Sequence, residues 1–154
     1  MVYYQKMTPT GYQQIEAEIA RLKQDRPRRI KVLQAARALG DLSENTEYTE
    51  AKRDLGHLAS RLRFLNKQLK YAEIVAPTTA NHEVQLGKTV TLRFLDDDEE
   101  IDYQLVGALE ADLAHGKVAY DSPLGLALMR QHVGEQVTVT APAGSYQVVI
   151  LAIR

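Results

Sequence analysis

Residues 48–72 read YTEAKRDLGHLASRLRFLNKQLKYA, and Tyr48, Ala51, Leu55, Leu58, Leu62, Leu65, Leu69 and Ala72 recur in them at alternating intervals of 3 and 4. That is a sustained heptad, the period that lays one apolar stripe of a helix against a partner helix. The partner lies upstream. Thr8 is expected to cap a helix whose first position is Pro9, where the absent N–H would be unpaired in any case. Beyond it Ile15, Ile19, Leu22, Ile30 and Leu33 share one helical face. Pro27 falls in a polar stretch of this helix and is expected to kink it without ending it, because the periodicity resumes. Gly40-Asp41-Leu42-Ser43 then breaks the pattern. So short a connection can only return the second helix antiparallel to the first. With about 30 residues in each arm the hairpin is roughly 45 Å long. Lacking further helices to pack on it, it is expected to project.

Downstream, Ala76-Pro77-Thr78-Thr79-Ala80-Asn81 reads as a linker, since Pro77 bars continuation of the helix. The expected division is a coiled-coil domain over 1–75, a linker over 76–82 and a second domain over 83–154. In that second domain the period changes to two. Val90, Leu92 and Phe94 alternate with polar residues, as do Ile101, Tyr103 and Leu105 across a turn at Asp96-Asp97-Asp98. Tyr120 ends another short extended segment, and Ser122-Pro123 opens a brief helix through about Met129. Two last strands flank Ala141-Pro142-Ala143-Gly144, the second carrying Val148, Ile150 and Ala152 on one face. The fold class is α+β: a helical hairpin followed by a small antiparallel sheet with one short helix. No internal repeat and no low-complexity tract is present.

Bulk composition narrows the function. The net charge of −1 conceals an asymmetry: residues 1–75 carry 14 Lys and Arg against 9 Asp and Glu, whereas residues 76–154 carry 5 against 11. The first half is therefore the one suited to meet a polyanion. Without Cys there is neither a disulfide nor a thiolate zinc site, which accords with a reducing cytoplasm. No window approaches the ~18–20 apolar residues of a membrane span, and the N-terminus has no apolar stretch long enough for a signal peptide. A soluble, cytoplasmic protein is expected. His57, His82, His115 and His132 show no metal-ligand spacing, and ordinary core or surface roles are expected of them. The Asp96–Glu100 run reads as a solvated hairpin turn. No glycine-rich phosphate loop occurs, and nothing points to an autonomous enzyme.

The turn of the hairpin, Gly40-Asp41-Leu42-Ser43-Glu44-Asn45-Thr46-Glu47-Tyr48, carries two readings. In one, Ser43 or Asp41 caps the second helix, and Asp41 with Glu44 resembles a capping box beside a favourable helix dipole. In the other, Asp41 and Glu44 sit at the end of a rod where nothing in the chain neutralises them. Mg²⁺ is often held by only one or two protein carboxylates plus waters and phosphates, and such an ion could activate water for attack on a phosphodiester. Two carboxylates need further ligands from a partner. Among the basic residues of the two arms, Arg37, Lys52 and Arg53 lie within about three turns of the tip, where positive charge could hold an RNA backbone.

These stretches resemble the Gre family of bacterial transcript-cleavage factors. Met7-Thr8-Pro9-Thr10-Gly11-Tyr12 is similar to its opening, and residues 40–48 followed by Ala51-Lys52 are similar to its tip motif nearly throughout. Gly116-Lys117, Ser122-Pro123-Leu124 and Val133-Gly134-Glu135 fit its C-terminal domain. The resemblance implies an antiparallel coiled coil joined to an FKBP-like domain, and a protein that is monomeric when free. It implies that the C-terminal domain docks at the mouth of the secondary channel of bacterial RNA polymerase through a segment matching Asp121, Ser122 and Pro123. The coiled coil enters that channel, where Asp41 and Glu44 help hold a Mg²⁺ shared with the polymerase active site. The polymerase then cleaves the 3′ segment of backtracked nascent RNA. By the same resemblance Ser43, Asn45 and Tyr48 shape the tip, and Arg37, Lys52 and Arg53 form the basic patch beside the RNA. Thr46 stands where the family commonly has Ala, Ala38-Leu39 replaces a more polar pair, and Leu126, Arg130 and Gln131 depart from its basic and glycine-containing pattern. Two alternatives stay open: a regulator occupying the same channel without cleavage, and a prolyl isomerase or chaperone. The latter requires an aromatic-lined pocket, which two Phe and no Trp argue against.

Overall fold

The computed structural model describes residues 4–40, 44–76, 78 and 80–154. Packing divides the chain into two compact units, Gln13–Tyr71 and a second made of Met1–Tyr12 with Ala72–Arg154. This division differs from the one drawn on sequence, which assigns 1–12 and 72–75 to the coiled coil. Backbone pairing is the reason. Strand β1 (Gln5–Met7) lies parallel to β2 (Ala72–Ile74), and the Val75 N–H continues the ladder to the Met7 carbonyl at 2.9 Å.

The helical unit consists of α1 (Pro9–Arg37), whose first turn belongs to the other unit, and α2 (Thr46–Lys70). Pro27 sits inside α1 without ending it. The arms are antiparallel, as three contacts establish. Glu18 pairs with Arg61 at 2.9 Å and Arg29 with Asp54 at 3.1 Å, while Asn45 Nδ2 donates to the Ala36 carbonyl at 2.7 Å. Partners descend along α2 as they ascend along α1. Ile15, Ile19 and Ala36 are buried on one arm, Ala51, Leu58 and Leu65 on the other. Each large side chain removed from water here contributes about 1.5–3 kcal/mol. The exposed ion pairs contribute roughly 0.2–1 kcal/mol each and act chiefly on register. The heptad does not run as far as expected: α2 ends at Lys70, and Ala72 opens β2.

The other unit is built on five strands: β3 (Thr89–Phe94), β4 (Glu99–Val106), β5 (Lys117–Ala119), β6 (Gln136–Ala141) and β7 (Gly144–Ile153). Their order is β5-β4-β3-β7-β6. The expected all-antiparallel sheet is corrected to a mixed one, because β5 runs parallel to β4. Two short 3-10 turns, Ala108–Glu110 and Leu113–His115, carry the chain back so that it re-enters in the same direction. Helix α3 (Pro123–Leu128) caps one face, and Leu128 joins Val90, Leu92, Leu105, Val148 and Ile150 in the core. The alternation expected along β7 slips. Pairing shifts between Thr91 and Leu92 so that Leu151 is an extra residue. A bulge of this kind moves later side chains to the opposite face, so Ile153 is buried and Ala152 exposed.

Residues expected to form a free linker are partly docked. Lys88 is only 5% exposed, and its Nζ donates to Asn81 Oδ1 at 2.7 Å and to the Thr78 carbonyl. A buried ammonium needs such acceptors, and Thr78 and Asn81 supply them.

Candidate functional site at the hairpin turn

Helix α1 ends at Arg37, and Gly40 follows with φ +122°, a conformation open to glycine and rarely adopted by other residues. Asp41, Leu42 and Ser43 lie outside the described residues, so the expected caps at Asp41 and Ser43 and the Asp41 member of the metal pair lie there too. The cap that is described is Asn45. Its backbone is extended, at φ −85° and ψ 96°, and its Oδ1 accepts the Tyr48 N–H at 3.0 Å. The same amide donates across the hairpin to Ala36, the contact given above. One side chain thus closes the start of α2 and brings a second donor to the Ala36 carbonyl, which also accepts the Leu39 N–H at 3.2 Å.

This cap corrects the capping-box reading. Glu44 precedes Asn45 and stands outside the helix, and the acid in the first turn of α2 is Glu47. Glu44 is exposed and has no hydrogen bond or ion pair with the described residues. With Leu39, Asn45, Thr46 and Glu47 it borders a shallow open hollow. Its oxygens are hard donors left free for a cation. Among the described residues no group of three or more His, Asp or Glu could enclose a metal unaided. Tyr48 is half-buried. Arg37, Lys52 and Arg53 are all exposed. Lys52 and Arg53 follow the buried Ala51 and stand about 100° apart on the helix.

The segment Asp121-Ser122-Pro123 lies in the other unit. Asp121 is exposed in a turn. Ser122 caps α3, its Oγ accepting the Gly125 N–H at 3.1 Å and donating to the Ala119 carbonyl at 2.7 Å, with Pro123 in the first turn. Gly125 is required by close approach: a Cβ there would meet the Ala119 carbonyl oxygen at 2.2 Å. Beside this segment opens a cavity of about 390 Å³ lined by Phe94, Tyr103, Tyr146, Leu113 and Leu124. Sequence reasoning missed it by counting aromatics instead of placing them. Three neighbouring strands contribute one aromatic each, and Phe94 stacks on Tyr146 with centroids 5.8 Å apart. Burial raises the Tyr146 hydroxyl pKa, and Tyr103 adds to the effect. His82 and His132, distant in sequence, have their rings 6.5 Å apart.

Residues 5–74 match the family described as "Transcription elongation factor, N-terminal", and residues 79–154 match "Transcription elongation factor, GreA/GreB, C-term". The chain belongs to the GreA/GreB family of transcription elongation factors. It is 56% identical over 98% of its length to transcription elongation factor GreA 1 of Lactiplantibacillus plantarum, covering 96% of that protein. It is 43% identical over 90% of its length to transcription elongation factor GreA of Novosphingobium aromaticivorans, covering 87%. The GreA of Thermodesulfovibrio yellowstonii is 41% identical over 96% of this chain and 94% of that one. A GreA/GreB factor is thus built with its exposed Glu44 at the turn of a two-helix hairpin and its Ser122-Pro123 segment beside an apolar cavity. No helix among its described residues is long and apolar enough to cross a membrane.

Proposed function

We propose that this elongation factor binds bacterial RNA polymerase through its C-terminal unit and passes its hairpin into the secondary channel, where it stimulates the polymerase's own cleavage of backtracked RNA. The observation that carries the reading is Glu44, an exposed carboxylate at the hairpin turn, outside the helix and without a described partner. A purely architectural acid would sit in the first turn of α2, as Glu47 does. Asp41 and Glu44 would hold a Mg²⁺ together with polymerase carboxylates. Such an ion supplies charge neutralisation and an activated water. The factor lends ligands and is not itself the enzyme.

The remaining residues have supporting parts. Asn45 caps α2 directly after Glu44, and Tyr48, whose N–H it accepts, is half-buried. Arg37, Lys52 and Arg53 offer exposed positive charge near the turn, suited to an RNA backbone. In the C-terminal unit, Asp121, Ser122 and Pro123 present a capped segment, and the adjacent aromatic cavity accepts an apolar side chain from the polymerase.

The test is RNA cleavage in a stalled, backtracked polymerase complex with and without the factor. Faster release of a 3′ fragment, lost in both Asp41→Asn and Glu44→Gln while polymerase binding is retained, is the expected result. Binding without any acceleration by the wild type would turn the assignment to a channel-occupying regulator.

A further inference from the structure

The opening Met7-Thr8-Pro9-Thr10-Gly11 takes no part in the site above, yet the structure builds around it. Glu110 lies 102 residues further along the chain, and its Oε2 accepts the Thr8 N–H at 3.0 Å. The same oxygen accepts the Gly107 N–H at 3.1 Å. Its Oε1 accepts the Thr8 hydroxyl, whose own oxygen accepts the Gly11 N–H at 3.1 Å. A threonine cap alone suffices for an ordinary helix start. Here a carboxylate is added to it, and Thr8 is only 6% exposed.

Two glycines make room for this contact. A Cβ on Gly11 would stand 2.0 Å from Glu110 Cδ, and one on Gly107 would stand 2.6 Å from the Lys6 carbonyl oxygen. Both absences serve one carboxylate. The first turn of α1 is thereby fixed to the C-terminal unit, and from it the helix runs unbroken to Arg37. We propose that Glu110 is a positioning residue, clamping the root of α1 so that docking of the C-terminal unit is transmitted to the tip. This inference rests on the cleavage reading above. Glu110 touches neither RNA nor metal and acts through the helix it holds.

The test uses the full-length protein. Glu110→Gln keeps the size of the side chain but turns an N–H₂ toward donors that need an acceptor. In the free factor, hydrogen exchange at the amides of Thr8, Gly11 and Tyr12 should accelerate in this variant. Affinity for polymerase, measured by competition, should stay at the wild-type value. The cleavage rate at saturating factor should fall by roughly 10–100-fold, the scale on which a misplacement of about 1 Å slows a positioned reaction. Gly11→Ala should reproduce the loss, and Thr8→Ser, which retains the hydroxyl, should not. Unchanged cleavage at saturation despite faster exchange would reduce the clamp to a stabilising contact and overturn the inference. A parallel loss of affinity would overturn it too, as would unaltered exchange. Should the wild type itself fail to stimulate cleavage, the functional reading and the transmission built on it fall together, while exchange still reports whether the clamp holds.

Discussion

Asn45 uses both ends of its amide, and substitution can separate the two uses. Asn45→Ala should destabilise the hairpin by about 1–2 kcal/mol, since a cap and a cross-hairpin bond are both lost. Asn45→Asp keeps the acceptor for the Tyr48 N–H but turns a carboxylate toward the Ala36 carbonyl, so any remaining loss in urea unfolding reports that bond. Asp41, Ser43 and Asn45 are all good caps by residue type, and sequence alone favoured the first two. The deciding partner is the Ala36 carbonyl on the other arm, which no local pattern displays. Arg130 makes a similar point. It departs from a glycine-containing pattern, yet the backbone there has φ +69°. A β-branched residue tolerates that conformation poorly. Arg130→Val should therefore lower stability by about 1–2 kcal/mol, while Arg130→Gly should leave the melting temperature unchanged or raised.

At the level of elements, the heptad over Tyr48–Leu69 was legible because apolar spacing is a direct record of which face is buried. The same record was silent about where α2 stops. Ala72 fits the heptad by type, but backbone pairing of β2 with β1 claims it. The bulge in β7 and the parallel entry of β5 were equally illegible, since both depend on a neighbouring strand's register. Short motifs fared better: Ser122-Pro123 both predicted and made the start of α3. Gly125 behind it admits no side chain, so Gly125→Ala should cost at least about 1–3 kcal/mol in thermal unfolding through overpacking. Acid should act on the helical hairpin. Arg28, and then Arg29, hold the Asp25 carboxyl at about 2, below the ~3.9 of an unfolded chain. A lowered folded value means that the contribution is present above about pH 4 and is lost as pH falls toward 2. In Asp25→Asn, melting followed by circular dichroism should lose part of its pH dependence in that window.

For the molecule as a whole, the charge asymmetry of the two halves was plain in the sequence, but the boundary between units was not. Pro77 and its neighbours look like a tether, yet Lys88 holds Thr78 and Asn81. Lys88→Met should leave those oxygens unpaired, cost about 1–3 kcal/mol and expose residues 76–82 to limited proteolysis while the sheet stays folded. The chain passes between its units at residues 12–13 and 71–72 instead, inside one helix and just beyond another. That arrangement makes the hairpin a ruler whose length can be reset. Matched excision of Ile19–Asp25 and Leu55–Arg61 removes seven residues from each arm, preserves the phase of the seam and shortens the reach by about 10 Å. Evolution can calibrate such a gauge by paired heptad insertions or deletions that leave the sheet-bearing unit untouched.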